Sequence, residues 1–163
     1  MPRVSTSFGP QASSFDYRTV AGMNLKAPLV SSVAEPALID STTVAGTAPN
    51  ATVNINVGIQ SIVYLTTSAG ANWTVNFRGA NGTPLNLFMT TGQVVTVALL
   101  ATQGATAYYN SAITIDGTSV TPKYQGGAAW ASGNSSGVDI YTYTIVKTGS
   151  SAFTIFASQT QFT

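Results

Sequence analysis

Apolar and polar residues alternate in short runs through the part of the chain that follows residue 50. The runs are rich in β-branched and aromatic residues, and clusters of Gly, Ser, Asn and Asp separate them, which is typical of β-strands. They cover residues 52–57, 61–67, 72–79, 93–102, 112–115, 118–120, 138–147 and 151–162. Seven or eight short strands in roughly 110 residues predict an all-β sandwich or small barrel. We favour an antiparallel β-sandwich, Ig-like or jelly-roll-like, over residues 51–163.

Details of the pattern indicate how single segments lie in this domain. Trp73, Val75 and Phe77 fall on one face of their strand, and the run 93–102 is apolar enough for a central, mostly buried strand. Only residues 82–92, between two glycines, are compatible with a helical turn. Since the chain has no cysteine, any likeness to immunoglobulin domains would be architectural.

The string TIDGTSV at residues 114–120 predicts a two-residue β-hairpin. Asp116 and Gly117 tolerate the positive φ angles of a type I′ turn, and alternating arms flank them. Pro122 follows closely, and because it cannot donate a hydrogen bond to a sheet, we expect it at a strand end or sheet edge.

Residues 1–50 follow a different pattern. Four prolines and six of the chain's eleven charged residues lie in the first 40 positions, and neither the helical nor the strand period persists there. Aromatic and aliphatic residues are nevertheless present, which linkers usually lack. We therefore expect an extended N-terminal arm that assembles by lying on another surface, the alternative being a flexible tail. The candidate contacts of this arm are Phe8, Phe15, Tyr17, Leu25 and Leu38.

Composition narrows the classes of function. Charged residues are 7% of the chain, against roughly 25% in typical globular proteins, and the net charge is +1 without a basic run. This gives no electrostatic basis for binding nucleic acid or an anionic membrane. The chain has no cysteine and no histidine, so disulfides and every metal site built on those residues are excluded. No segment is apolar enough for a signal peptide or a membrane span, so we expect a soluble protein made in the cytoplasm.

Candidate chemistry is sparse. GNSSG at residues 133–137 matches the nucleophile-elbow pattern, but that motif needs a histidine base, so a Gly/Ser loop is the better interpretation. Asp116 and Asp139 are the only acids after residue 50, and a catalytic carboxylate pair is a weak hypothesis because the hairpin already explains Asp116. No acidic calcium loop or phosphate-binding glycine loop occurs. We expect no catalytic residues, no metal and no cofactor.

Aromatic side chains near predicted loops are the remaining candidates. Tyr108 and Tyr109 are adjacent and should point to opposite faces of a sheet. Trp130, flanked by small residues, could cover the core or anchor an interface, and Tyr124 is the tyrosine of this region most compatible with exposure. Tyr124 and Trp130 are therefore the candidate residues for surface adhesion, since such rings stack on sugars or on a partner protein.

Three strings carry a resemblance to a known family: ATQGATAYYN (101–110), PKYQGG (122–127) and KTGSSAFTIFASQTQF (147–162). With the sequence around them, over residues 58–163, they resemble a β module of virion structural proteins from tailed phages that infect marine cyanobacteria. The resemblance implies a non-enzymatic, tail-fibre-like particle component located in the virion after synthesis in the host cytoplasm. Its partners would be other virion proteins and copies of itself. Residues 1–50 lie outside the resemblance and would set the position on the particle.

Within this interpretation we favour a tail, baseplate or fibre component. A capsid decoration (cement) protein on the phage head is an alternative. A carbohydrate-binding adhesion module, which would recognise host-surface glycan through Tyr124 and Trp130, is another, and a hydrolase is the weakest.

Overall fold

The computed structural model describes residues 52–163 and, as a backbone strand only, residues 38–43. The described chain forms ten strands, one short helix and a 3-10 turn at Gln125–Gly127. The strands are β1 (Leu38–Thr43), β2 (Thr52–Asn56), β3 (Ile62–Thr67), β4 (Trp73–Arg78), β5 (Val94–Thr102), β6 (Asn110–Ile115), β7 (Thr118–Ser119), β8 (Lys123–Tyr124), β9 (Val138–Gly149) and β10 (Ala152–Phe162), and the helix is α1 (Leu85–Phe88).

The strands form two sheets that pack on each other, which confirms the all-β, two-sheet prediction. The larger sheet has the order β1-β3-β5-β9-β10-β8, and the smaller has the order β2-β4-β6-β7. Both sheets are mixed rather than purely antiparallel. The pairs β1–β3, β3–β5, β2–β4 and β4–β6 are parallel, whereas β5–β9, β9–β10 and β6–β7 are antiparallel.

The parallel pairs follow from the path of the chain. Strands β1 to β6 alternate between the two sheets, so that each strand returns to its own sheet only after the chain has passed through the other. Two reversals bring the chain back in its original direction, and a parallel neighbour results. From β9 onward the chain stays in the larger sheet, where β9 and β10 form a long hairpin with a two-residue turn at 150–151.

The core lies between the sheets and is built from one face of nearly every strand. Trp73, Val75 and Phe77 are at most 1% exposed, as their spacing predicted, and β5 is an interior strand of its sheet. Edge-to-face aromatic contacts cross the core, with Trp73 5.6 Å from Tyr141 and Phe77 5.0 Å from Tyr143 between ring centroids.

The predicted hairpin and helical turn are both present. Asp116 and Gly117 have φ angles of 51° and 81° and join β6 to β7, as a type I′ turn requires. Helix α1 lies within the segment 82–92. The chain then leaves β7 in the smaller sheet and enters β8 at the edge of the larger one, so residues 118–124 bridge the two sheets along one side. Pro122 immediately precedes this edge strand and is buried.

The two outer faces of the sandwich differ in chemistry. Polar side chains on the smaller sheet bind one another across the strands: the amide of Asn76 donates to Asn54 Oδ1 (2.8 Å), and Arg78 Nε donates to Asn56 Oδ1 (2.6 Å). On the larger sheet, the outward side chains of β3, β5, β9 and β10 include no charged residue. We call these outward side chains the neutral face. Its larger apolar members are Ile62, Tyr64, Val94, Leu100, Val138, Ile140, Val146, Phe156 and Phe162.

Part of the predicted N-terminal arm can be compared with this fold. Residues 38–43 form β1 at the edge of the larger sheet, paired with β3, although the pattern placed them in the arm. Phe8, Phe15, Tyr17 and Leu25 lie outside the described residues, and of Leu38 only its place at the start of β1 is described.

Candidate functional site

The structure brings Tyr124 and Trp130 into direct contact. Their rings meet edge to face, with centroids 4.9 Å apart and planes at 88°. The two residues are six positions apart, and the turn between them makes the contact. Gly126 and Gly127 have φ angles of 75° and 81°, a conformation that side chains other than glycine rarely adopt, and they reverse the chain after β8.

A groove of about 390 Å³ runs beside this aromatic pair. One wall is the C-terminal half of β10, and the other is β8 with the segment that follows it. Its lining combines the two rings with amides and hydroxyls, from Tyr124, Gln125, Ala128, Trp130, Ala157, Ser158, Gln159 and Thr160. We call this feature the aromatic groove. None of these described lining residues is charged, so a ligand held there would be bound by stacking and neutral hydrogen bonds.

The aromatic groove is open at β10 because its edge partner is very short. β8 pairs with β10 at only two positions, Phe156↔Lys123 and Ala157↔Tyr124. Beyond Ala157, no strand of the described residues pairs with this edge of β10 as far as Phe162, and residues 158–160 line the groove.

Trp130 is also a cover for the core. Its ring packs edge to face on Tyr141 (5.1 Å between centroids), and its indole N–H donates to the carbonyl of Asn110 at 2.6 Å. Tyr124 is likewise partly buried against the core, and this burial raises the pKa of its phenol. Trp130 therefore packs on the core with part of its ring still exposed at the groove, and Tyr124 is half-exposed beside it.

Asn110 ties the core cover to the strands beneath it. This buried amide accepts from the hydroxyl of Tyr143 (2.9 Å) and donates to the carbonyl of Trp73 (3.1 Å). Burial raises the pKa of Tyr143 well above its usual value. The floor of the aromatic groove is thus fixed by hydrogen bonds as well as by packing.

A buried polar cluster lies behind the groove. Gln159, which lines the groove, donates to Tyr141 Oη (3.0 Å) and to the carbonyl of Ser132 (2.9 Å). Burial, and secondly the negative charge of Asp139, raises the pKa of Tyr141. The groove wall and the buried acid are therefore parts of one network.

Asp139 is fully buried in this cluster and holds two loops. Its Oδ2 accepts from Gln103 Nε2 (2.9 Å) and from the main-chain N–H of Asn134 (3.1 Å). Gln103 in turn binds both main-chain groups of Tyr108. Burial raises the pKa of the Asp139 carboxyl, and the hydrogen bonds from Asn134 and Gln103 oppose the rise in part.

The loop held by Asp139 contains the serine motif. A Cβ atom at Gly133 would lie 2.1 Å from the carbonyl oxygen of Tyr108 and 2.7 Å from Asp139 Oδ2, so only glycine fits there. Ser136 has a φ of 58°, and its N–H binds the carbonyl of Gly104 (2.8 Å). GNSSG is thus a loop that enters β9, as the absence of a histidine indicated.

Asp116 has a second role that the sequence did not reveal. Its carboxylate accepts from the main-chain N–H groups of Leu85 (2.6 Å) and Asn86 (3.0 Å), and so caps helix α1 from a distant hairpin. Turn propensity alone explained the residue in sequence, and no local spacing connects positions 116 and 85.

Lys147 is buried as well and serves the other end of α1. Its ammonium donates to the carbonyls of Met89 (2.7 Å) and Asn86, and it lies 5.9 Å from the centre of the Phe153 ring. A cation is favourable there because carbonyls at a helix end carry no partner of their own.

The two acids of the described domain cannot form a catalytic pair. Asp116 binds the N–H of Asn86, and Lys147, near the far end of β9 from Asp139, binds the carbonyl of the same residue. Eight residues of strand, about 26 Å, separate Asp139 from Lys147. Glycosidase carboxylates stand roughly 5–10 Å apart. Within residues 52–163, no group of three acids able to hold a metal ion occurs.

Comparison of the chain with family models, with curated proteins and with solved structures finds no match. No helix in the described part of the chain is long and apolar enough to cross a membrane.

Proposed function

We propose that this protein is a non-enzymatic structural component of a bacteriophage virion. It would belong to the tail, baseplate or fibre, with the N-terminal arm predicted over residues 1–50 as the segment that anchors it to the particle and the two-sheet domain as its folded body. The resemblance over residues 58–163 supports the phage assignment and the tail position. Decoration of the capsid is the alternative position for the same protein.

One observation about the charged side chains supports a structural role. Residues 52–163 contain five charged residues, and four of them bind groups of the protein itself. Asp116 and Lys147 hold main-chain groups at the two ends of α1, Asp139 holds a loop, and Arg78 binds the side-chain amide of Asn56. These four charged side chains thus make hydrogen bonds that fix the fold.

Detection in purified particles tests the proposal. Virions purified through a density gradient should contain the chain at a constant ratio to the major capsid protein, and antibody labelling in electron micrographs should mark the tail. Labelling spread evenly over the head would favour decoration instead. A chain found in infected cells but absent from purified particles would contradict the virion assignment.

A second function, binding of host-surface glycan, is favoured by the aromatic groove. Sugar hydroxyls are hydrogen-bonded by amides, and aromatic rings pack on the apolar faces of sugar rings. The aromatic groove offers both at one place, with Tyr124 half-exposed beside Gln125 and Gln159. Adhesion through this groove is compatible with a position on the tail.

A glycan array probed with the full chain tests this second function. Tyr124→Ala should abolish any binding, while Tyr64→Ala, at a half-buried tyrosine on the neutral face, should leave it unchanged. Binding that both variants retain would place the ligand elsewhere. An array without any bound glycan would leave the protein with the structural role alone.

A further inference from the structure

The neutral face departs from the usual chemistry of a sandwich exterior. Outward positions of a two-sheet sandwich normally carry polar residues that alternate with the core positions. On β5 and β9 the outward positions instead carry apolar residues, threonine and a single alanine, and no charge. The outward positions of the flanking strands β3 and β10 carry no charge either, although β10 adds a serine. Lys123 of the short edge strand β8 lies beside Phe156 and is the charged residue at the rim of this face.

Large apolar side chains are exposed on this face. Val94 is 57% exposed at one end of β5, and Phe156 is 49% exposed on β10. Single exposed apolar residues are normal on proteins, but a contiguous patch on one sheet marks an interaction surface. The register places Val94 opposite Val146 and Phe156 opposite Thr144, so the two exposed residues belong to one continuous surface.

We propose that the neutral face is the surface through which two copies of this chain pack sheet on sheet. A face whose four main strands carry no charge can meet itself: a twofold axis sets residue i against j and j against i, and residues near the axis meet their own equivalents, where like charges would repel. A partner with a charged surface would lose the hydration of its charges against this face without gaining an ion pair.

The dimensions of the face suit such a contact. Four strands spaced ~4.8 Å apart, with β5 and β9 running ~30 Å, give roughly 570 Å² per copy. A pair would bury about 1,100 Å², which exceeds the ~1,000 Å² that a specific interface needs. β-branched side chains also interdigitate well between sheets stacked ~10 Å apart.

A threonine pair marks the centre of the proposed contact. Thr96 on β5 and Thr144 on β9 lie opposite each other, with their hydroxyl oxygens 3.2 Å apart. Because these hydroxyls bind each other, one of their two O–H donors is already paired when they enter an interface. The centre of the face is therefore suited to burial although it is not purely apolar.

Dimerisation through the neutral face would add to the proposed role in a virion, but it is argued from the chemistry of the sheet face alone. A failure to dimerise would remove this interface and leave incorporation into particles untouched. Absence from particles would contradict the virion assignment and leave the self-association in place.

Sedimentation velocity of the full chain tests the proposal over protein concentrations of roughly 1 µM to 1 mM, the range of weak to moderate affinities. We expect a reversible monomer–dimer equilibrium. Thr96→Lys should raise the dissociation constant by at least about tenfold, since it places two ammonium groups in a desolvated contact. The matched control is Thr52→Lys, at an exposed position on the outer face of the smaller sheet, and it should leave the constant unchanged.

A second variant guards against a folding defect. Phe156→Ser adds no charge and removes an exposed ring, so its thermal unfolding should match that of the wild type while its dimer weakens. A chain that stays monomeric would overturn the proposal and leave the face to a different occupant. Equal weakening by Thr96→Lys and Thr52→Lys would also overturn it, because general repulsion between molecules would then explain the effect.

Discussion

The two outer faces of the sandwich show opposite ways of using polar residues. On the smaller sheet, amides and a guanidinium bind one another across strands β2 and β4, and Asn76 Oδ1 also accepts from the hydroxyl of Thr114 on β6 and from the N–H of Gly117 in the hairpin turn. On the larger sheet, the neutral face leaves apolar side chains and hydroxyls toward solvent. The polar side chains of the smaller sheet find hydrogen-bond partners within one copy of the chain, whereas Val94 and Phe156 of the neutral face are exposed in it.

Strand β9 shows the contrast most clearly, because at both of its ends a charged residue points into the core while the neighbouring outward residues are uncharged. Its inward positions include Asp139 and Lys147, both buried and hydrogen-bonded, whereas its outward positions are Ile140, Thr142, Thr144 and Val146. Charges are costly to bury unless they are paired with other groups. The charged residues of β9 point into the core and stabilise the fold. Its outward positions carry no charge, which suits this side of the sheet to contact with another surface.

The largest expected effect tests the inward charge of this strand. Lys147→Met removes the donor for two carbonyls at α1 and should lower the free energy of unfolding by about 2–4 kcal/mol, since buried acceptors then lose their partners. Urea denaturation measures the change. Lys123→Met, at an exposed lysine on the sheet edge, is the matched control and should change stability by less than ~0.5 kcal/mol. Equal changes in the free energy of unfolding at the two lysines would show that the hydrogen bonds of the buried Lys147 do not stabilise the fold.

A smaller effect compares the two outer faces directly. Asn76→Leu removes hydrogen bonds to Asn54, Thr114 and Gly117 and should cost about 1–2 kcal/mol, discounted because the groups are partly solvated. Thr144→Val, the corresponding change on the neutral face, removes one long hydroxyl contact and should stay within ~0.5 kcal/mol. The same urea experiment serves for both. A Thr144→Val cost as large as that of Asn76→Leu would erase the distinction between the faces.

The smallest effect concerns pH and the buried acid of β9. Because burial raises the pKa of Asp139 in the folded state, the folded protein binds the proton more tightly than the unfolded chain. Wild-type stability should therefore fall as pH rises from about 4, the unfolded pKa, through the raised folded value, and then level off. In Asp139→Asn this fall should be absent, while the hydrogen bonds to Gln103 and Asn134 can persist. Urea melts from pH 3 to pH 8 would contradict the account if both proteins gave the same slope.

Most of the fold could be predicted from the sequence because strand alternation is a local property. The runs 52–57 through 151–162 and the turn at Asp116–Gly117 correspond to observed elements. Parallel pairing could not be predicted, since a strand alternates in the same way in either direction. Strand β8 could not be predicted because it has only two residues, which are too few to show alternation. Strand β1 could not be predicted because it lies in a segment without sustained alternation.

The individual residues of the candidate site could be predicted from the sequence, but the contacts between them could not. Tyr124 and Trp130 were identifiable as aromatic residues near loops, whereas their contact depends on the turn at Gly126–Gly127. For Asp139 and Lys147 the sequence did hold a signal: they are in phase with Tyr141 and Ile145, which predicts an inward direction. The partners that make this burial tolerable come from distant segments and leave no local pattern.

The neutral face is tested most directly by a distance measured between copies of the full chain. The sequence contains no cysteine, so Thr144→Cys and Thr52→Cys each provide a single site for a nitroxide label, at the centre of the neutral face and on the opposite sheet. Dipolar electron paramagnetic resonance spectroscopy at a concentration where the dimer forms should give a well-defined distance of about 10–25 Å between the two labels at position 144, as expected for stacked sheets. The labels at position 52 should lie much farther apart. A short distance at position 52, or none at position 144, would contradict the claim that two copies meet through this face.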